Sequence, residues 1–241
     1  MDVTSAYAVL SLFGPNARLI LQEITGDDIS NDALPFGAAK TIGIAGCPVR
    51  ALRVSYVGEL GWELHLPVEY AVTVYEAIHR AGAAHGLRNA GYRAIETLRL
   101  EKGYRAWSAD IGPDHTPFES GLGFAVKLDT NLAFKGRDAV AAQASVGVKK
   151  RMTIFTTEPD VILLGRETIY RNGARVGWLS SAGFGHSIGK SIGMGFVRSK
   201  QVIDRDFILS GTYELEVASQ RVPCQAQLSP LYDPKMLKVK G

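Results

Sequence analysis

The sequence predicts an α+β protein in two parts: an α/β layer domain of ferredoxin-like type, followed by a small antiparallel β-barrel. Three observations predict it. Up to about residue 145, runs that alternate apolar and polar residues interchange with helical patterns over short connections. Beyond Arg151 the texture changes to short strands with glycine turns and no intervening helix. Between them Ala144 to Lys149 is small, glycine-containing and then charged, which reads as a boundary and divides the chain into 1–145 and 150–241.

Taken in order, Tyr7 to Phe13 reads as a buried strand, and Gly14-Pro15-Asn16 turns it into a helix through Ile24. A core strand this close to Met1 implies that further sequence normally precedes it. Lys40 to Ala45 and Val49 to Tyr56 make two strands around Gly46-Cys47-Pro48. Trp62 to Leu66 follows as a strand with Trp62, Leu64 and Leu66 on one face and Glu63 and His65 on the other. Pro67 opens a helix with Tyr70, Val74, Ala77 and Ile78 at helical spacing. A second helix after Gly91 turns Ala94, Ile95 and Leu98 inward and ends at Gly103. Pro113 and Pro117 exclude a long helix through the next stretch, which reads as a loop. Phe124 to Leu128 reads as a short strand, and Lys135 to Asp138 leads into an Ala-rich helix. In the second part, strands are expected at 152–157, 167–171, 174–180, 191–197, 213–218 and 221–228, with Asn172-Gly173 as the strongest hairpin signal.

The 241 residues are 21% charged with a formal net charge of +3, which lacks the polyelectrolyte signature of a nucleic-acid binder. No apolar run approaches the ~18 residues of a membrane span, so no membrane role is expected. Two cysteines without ligand-like spacing fit a reducing, cytoplasmic setting. The start has no basic region followed by an apolar run, so no signal peptide is read there. The histidines lack metal-ligand spacing.

The most informative stretch is Tyr56-Val57-Gly58-Glu59-Leu60-Gly61-Trp62-Glu63. It reads as a β-hairpin with Gly58 and Gly61 supplying the turn, and it sets an aromatic ring beside two carboxylates. A carboxylate beside a ring can grip a flat heterocycle with guanidine-like donors. A surface hairpin with solvated acids fits the same residues. On the helix, Glu96 and Arg99 are three residues apart, the spacing of a surface ion pair that contributes roughly 0–1 kcal/mol; the alternative is that Arg99 reaches a ligand carboxylate or carbonyl. Asp110, Asp114 and Glu119 near His115 fit either acid–base work or a polar loop held between prolines. Gly183 to Ser191 ends in Gly-Lys-Ser like a phosphate-binding loop, but Phe184 stands where that pattern needs glycine and a strand follows, so it reads as a glycine-rich hairpin.

From about Ser5 to the C-terminus the sequence resembles the glycine cleavage T-protein (aminomethyltransferase) superfamily. The resemblance rests on Tyr56 to Glu63 (Tyr-x-Gly-Glu-x-Gly-x-Glu), Leu98 to Glu101 (Leu-Arg-Leu-Glu) and Thr116 to Leu122 (Thr-Pro-x-Glu-x-Gly-Leu). Glu101 to Trp107, Phe134 to Arg137 and Pro230 to Pro234 resemble more closely the folate-binding C-terminal region of dimethylglycine and sarcosine dehydrogenases. The resemblance implies a tetrahydrofolate site that accepts a one-carbon unit from a small amine and yields 5,10-methylenetetrahydrofolate. It implies that Glu63 takes the pterin N–H donors, that Tyr56 lines the same pocket, that Arg99 contacts the folate and that Trp107 is the aromatic residue near the ring. Family members carry a longer stretch before Tyr7, including an aspartate thought to act on the folate nitrogen, and no residue here aligns with it. No Gly-x-Gly-x-x-Gly unit marks a flavin domain, so the expected partner is a flavin dehydrogenase subunit or a separate front domain. A non-catalytic folate-binding scaffold and a folate-dependent demethylase are alternatives compatible with the same resemblance.

Overall fold

In the computed structural model, which describes residues 1–241, β1 (Tyr7–Phe13) is followed by α1 (Ala17–Ile24), β2 (Ala39–Ile44), β3 (Cys47–Leu52), β4 (Gly61–Pro67) and α2 (Ala71–Gly82). The four strands form one antiparallel sheet in the order β1-β4-β3-β2. Alternation along β4 sends Trp62, Leu64 and Leu66 into the core with Leu12, Val49, Ala51, Ile42 and Ile44, where Ile20 and Leu21 of α1 and Val74 and Ile78 of α2 pack. Glu63 and His65 take the opposite face, as the two-residue period of a strand requires. The β2–β3 turn is Ala45-Gly46, both in left-handed backbone space, so Cys47 and Pro48 belong to β3 rather than to the turn.

Three expectations for this region change. First, β1 is an edge strand whose alternate residues Tyr7 and Val9 are exposed, because only β4 pairs with it. Second, β3 ends at Leu52 and residues 53–60 leave the ladder, so Tyr56 lies in a connection rather than in a strand. Past Leu52 the chain still bonds to the segment before β2, the Arg53 N–H donating to Ala38 O and Arg53 O accepting from the Gly37 N–H, while its pairing with β4 ends at Leu52. Third, Gly58 has the left-handed backbone a turn needs (φ +78°), whereas Gly61 sits inside β4, where a Cβ would collide with Leu12 O and the Phe13 ring.

The chain continues through α3 (Tyr92–Glu101), α4 (Arg137–Val146), β5 (Lys150–Thr157), β6 (Thr168–Arg171), β7 (Ala174–Gly185), β8 (Lys190–Arg198), α5 (Arg205–Leu209), β9 (Tyr213–Val217), β10 (Gln220–Gln227) and α6 (Leu237–Lys240). The six strands close into an antiparallel barrel in the order β10-β5-β8-β7-β6-β9. Its interior is filled by Phe155, Ile169, Leu179, Val197, Tyr213 and Leu215. The outer faces of β5 and β8 are covered too: Met152, Ile154, Ile192, Met194 and Phe196 cluster with Leu100 of α3, which explains why both strands are apolar almost throughout. Asn172 and Gly173 both have positive φ and join β6 to β7, and residues 185–190 join β7 to β8 as a hairpin. Sequence reasoning did not anticipate α5, which Asp204 caps by accepting from the Phe207 N–H at 2.7 Å. Nor is 124–128 a strand: Gly123–Ala125 is a single 3-10 turn, and the carbonyls of Lys127, Leu128 and Leu132 accept from the Arg137 guanidinium instead of from a partner strand.

The chain folds as two compact units, Met1–Ile95 with Asp233–Gly241 as one and Glu96–Tyr232 as the other, so α4 and the 145–150 connection lie inside the barrel unit. No helix is long and apolar enough to cross a membrane.

Candidate functional site

In the first unit, Glu63 stands on the sheet face opposite the helices, in register with Ser11 of β1 and Leu52 of β3. Its carboxylate is half-buried and lies 3.4 Å from His65 Nε2 on the same face. Tyr7, Thr41, Arg50, Leu52 and His65 line a hollow of about 580 Å³ on that face. Tyr56 is half-buried in the 53–60 connection, which is held by the Ser55 hydroxyl accepting from the Val57 N–H and by Leu60 O accepting from the Gly14 N–H. A carboxylate and a phenol thus occupy one unit, with open volume beside the strand that carries the acid.

Arg99 and Trp107 belong to the second unit and differ sharply from one another. Arg99 is 1% exposed, so the surface ion pair expected from its spacing with Glu96 is corrected to a buried network. Nε and Nη2 donate to Glu96 Oε2 at 3.0 and 2.7 Å, Nη2 donates to Ser181 Oγ at 2.7 Å, and Nη1 donates to Tyr104 O at 3.1 Å and to Asp110 Oδ2. All five N–H donors of the guanidinium are engaged, so a ligand contact requires one of these partners to give way. The carboxylate of Asp110 is buried as well; it also accepts from the Ala106 N–H at 2.9 Å and from the Ser180 hydroxyl. The two serines are adjacent, which in a regular strand would point them to opposite faces. The register shift between Leu179 and Ser181 is a β-bulge, and it lets both reach the Arg99–Asp110 pair. Sequence reasoning missed this pairing; the only signal was a Ser-Ser step inside an otherwise apolar strand.

Of the other acids near His115, Glu119 is held within the loop. Glu119 accepts from the Thr116 N–H at 3.0 Å and pairs with Lys150 at 3.4 Å. His115 Nδ1 accepts from the Gly112 N–H at 3.1 Å while its ring stacks on Phe196, 4.5 Å between centroids. Trp107, in contrast, is 68% exposed and stands at the rim of a hollow of about 260 Å³ lined by Ile111, Pro117, Leu122 and Val126. Burial pushes the Arg105 guanidinium below its ordinary range, and it answers by donating to Ser120 O at 2.9 Å, which pins the start of this loop.

Comparison with known proteins places these features in a family. The model of the GCVT N-terminal domain matches residues 1–130, and that of the glycine cleavage T-protein C-terminal barrel domain matches residues 149–233. Human mitochondrial sarcosine dehydrogenase is 45% identical over 243 aligned positions, covering 100% of this chain and 26% of that protein. Human mitochondrial dimethylglycine dehydrogenase is 39% identical over 197 positions, covering 81% of this chain and 23% of that protein. The chain therefore spans about a quarter of the length of these relatives. Among solved structures, the glycine cleavage system aminomethyltransferase T from Bartonella henselae superposes with a TM-score of 0.79 at 22% identity, covering 95% of this chain and 60% of that one, a likeness of fold.

Proposed function

Because the chain belongs to the glycine cleavage T-protein family, we propose that it binds tetrahydrofolate and takes part in one-carbon transfer from a small amine, forming 5,10-methylenetetrahydrofolate. The observation that supports this most is Glu63: a half-buried carboxylate on the face of the sheet that the helices leave open, 3.4 Å from His65, which lines a hollow of about 580 Å³. These residues fit a pterin. Two carboxylate oxygens match two parallel N–H donors of a guanidine-like ring edge, and the charge on the acceptor strengthens both bonds. His65 at 3.4 Å limits the rotation of Glu63, and Tyr56 supplies an aromatic side chain in the same unit. When bound, reduced folate supplies the nucleophilic nitrogen that accepts the one-carbon unit. The chain's own residues bind and orient it, and its share of catalysis is positioning.

In the barrel unit Arg99 acts as a positioning residue. Its bonds to Asp110, Tyr104 O and Ser181 hold the loop that carries Trp107, whose exposed ring is available for stacking. The names of the relatives, sarcosine dehydrogenase and dimethylglycine dehydrogenase, support a dehydrogenase of such small amines as the source of the donor.

Calorimetric titration with 5-formyltetrahydrofolate tests the reading. Wild-type protein binds, and Glu63→Gln, which loses the charged acceptor, binds about tenfold or more weakly while its melting temperature stays put. No heat from either protein, with both folded by circular dichroism, removes the folate site. Equal affinities keep a pocket but deny Glu63 its part.

A further inference from the structure

We propose that a hollow on the outer wall of the barrel, between the loop 109–115 and strands β5, β7 and β8, binds a small organic acid that carries one carboxylate on a flat apolar body. The hollow holds about 300 Å³, and Lys150, Arg166, Trp178, Ser180, Phe196 and Arg198 line it from the barrel side. Lys150 of β5 stands directly opposite Arg198 of β8, and Phe196 of β8 directly opposite Trp178 of β7. Like charges that face each other across a strand pair destabilise it. Each cation is laid on an aromatic ring of the same wall: the Arg198 guanidinium carbon is 4.3 Å from the centre of the Trp178 ring, and Lys150 Nζ is 5.3 Å from that of Phe196. Lys150 also pairs with Glu119 at 3.4 Å and donates to Asp114 O at 3.1 Å. Arg198 keeps a buried donor, Nη1, that has no acceptor. Burial pushes its guanidinium below the ordinary range, with Glu119 acting against the shift.

Arg166 adds a third cation at the rim, and the backbone holds it there at a cost. Its φ of +77° lies in left-handed space, which penalises any residue with a Cβ and leaves glycine untouched, and its N–H donates to Leu179 O at 2.9 Å. The lining charges set the charge of the ligand. Lys150, Arg166 and Arg198 meet two carboxylates, Asp114 and Glu119, because Asp110 is already matched by Arg99. One positive charge is left over, which calls for one negative charge. A guanidinium stacked on an indole keeps its edge for the two oxygens of a carboxylate. His115 accepts at Nδ1 from the Gly112 N–H, so Nε2 carries the proton of the neutral ring and is a further donor. The body of the acid packs on Trp178, whose ring is 40% exposed beside the hollow. The volume is at the small end for ligand pockets and suits one acid of benzoate size. The hollow shares no lining residue with the sheet face that carries Glu63, so this site stands or falls apart from the folate reading.

The experiment titrates the 241-residue chain with sodium benzoate, acetate, phosphate and chloride at equal ionic strength. It follows the melting temperature and the indole N–H signal of Trp178 by ¹⁵N NMR, assigned with Trp178→Phe. Benzoate moves the Trp178 signal saturably and raises the melting temperature by about 3 °C at roughly ten times its dissociation constant. Acetate, which lacks the flat body, binds at least about tenfold more weakly, and chloride does nothing. Arg198→Gln lowers the affinity for benzoate about tenfold or more. Arg166→Gly, at an exposed position, lowers it severalfold while the melting temperature of the free protein holds or rises, because glycine relieves the left-handed backbone. Phosphate binding as tightly as benzoate overturns the carboxylate assignment, and acetate doing so overturns the flat body. The absence of a saturable response to benzoate, or a response unchanged in both variants, overturns the site.

Discussion

Arg99 and Arg53 are both buried, at 1% and 0% exposure, yet the two units treat them in opposite ways. Arg99 is met by two carboxylates, a hydroxyl and a carbonyl, so that charge and hydrogen-bonding capacity are both satisfied from within its unit. Arg53 is met by neutral oxygens and by a second arginine, and its Nε has no acceptor. Burial alone therefore does not define what an arginine does. The balance of charge around it separates an arginine neutralised by carboxylates from one whose hydrogen-bond partners are all neutral.

The comparison breaks most forcefully at Asp110. Asp110→Ala leaves Arg99 buried without its closest counter-charge and costs about 3–5 kcal/mol, read as a drop in the urea midpoint. Replacing both partners, Arg99→Met with Asp110→Leu, costs less than the sum of the single changes; additive losses would show that the two residues are not acting as a pair.

A smaller effect sharpens the other side. Because burial disfavours the charged form of Arg53, its pKa in the folded chain is pushed down to about 10, below the ordinary guanidinium value of the unfolded chain. Between those values the unfolded chain holds more protons than the folded one, so the unfolding free energy contributed by Arg53 rises with pH. Measured in urea, wild-type protein gains roughly 1–3 kcal/mol relative to Arg53→Gln as pH climbs from 9 towards 12. A constant gap between the two proteins would mean that Arg53 is satisfied after all.

The smallest effect is at Ser181. Ser181→Ala removes one neutral acceptor from Arg99 and leaves the carboxylates, costing about 0.5–1.5 kcal/mol. A loss as large as that of Asp110→Ala would move the weight of the Arg99 network from the ion pair to the bulged strand.

Much of this architecture is legible in the sequence because it rests on local periodicity. Alternation along Trp62 to Leu66 puts Glu63 opposite the core, and the structure has it there. Asn172-Gly173 announces its hairpin, and Phe184, standing where a phosphate loop needs glycine, marks the turn at 185–190 as a link between strands. The failures have a common cause too. Composition makes Tyr7 to Phe13 read as buried, but whether a strand is central or at an edge depends on which other strands find it. The stretch 124–128 has strand-like residues but no strand beside it. Of the candidate site, Glu63 and Tyr56 can be placed together from sequence because eight residues hold both. Arg99 reads as a surface ion pair because three-residue spacing is all a helix reveals about its own face.

By itself, then, the sequence determined the strands, most of the helices, their inward and outward faces, and the segment that carries the carboxylate. All of these follow from backbone repeats of two and of 3.6 residues acting over a few positions. Only the tertiary structure decided the fate of the buried charges. Arg99 meets Ser181 across 82 residues of chain and Arg53 meets Val239 across 186. Electrostatic compensation is a property of distance in space, and no local pattern in the chain encodes which distant oxygens will converge on a cation.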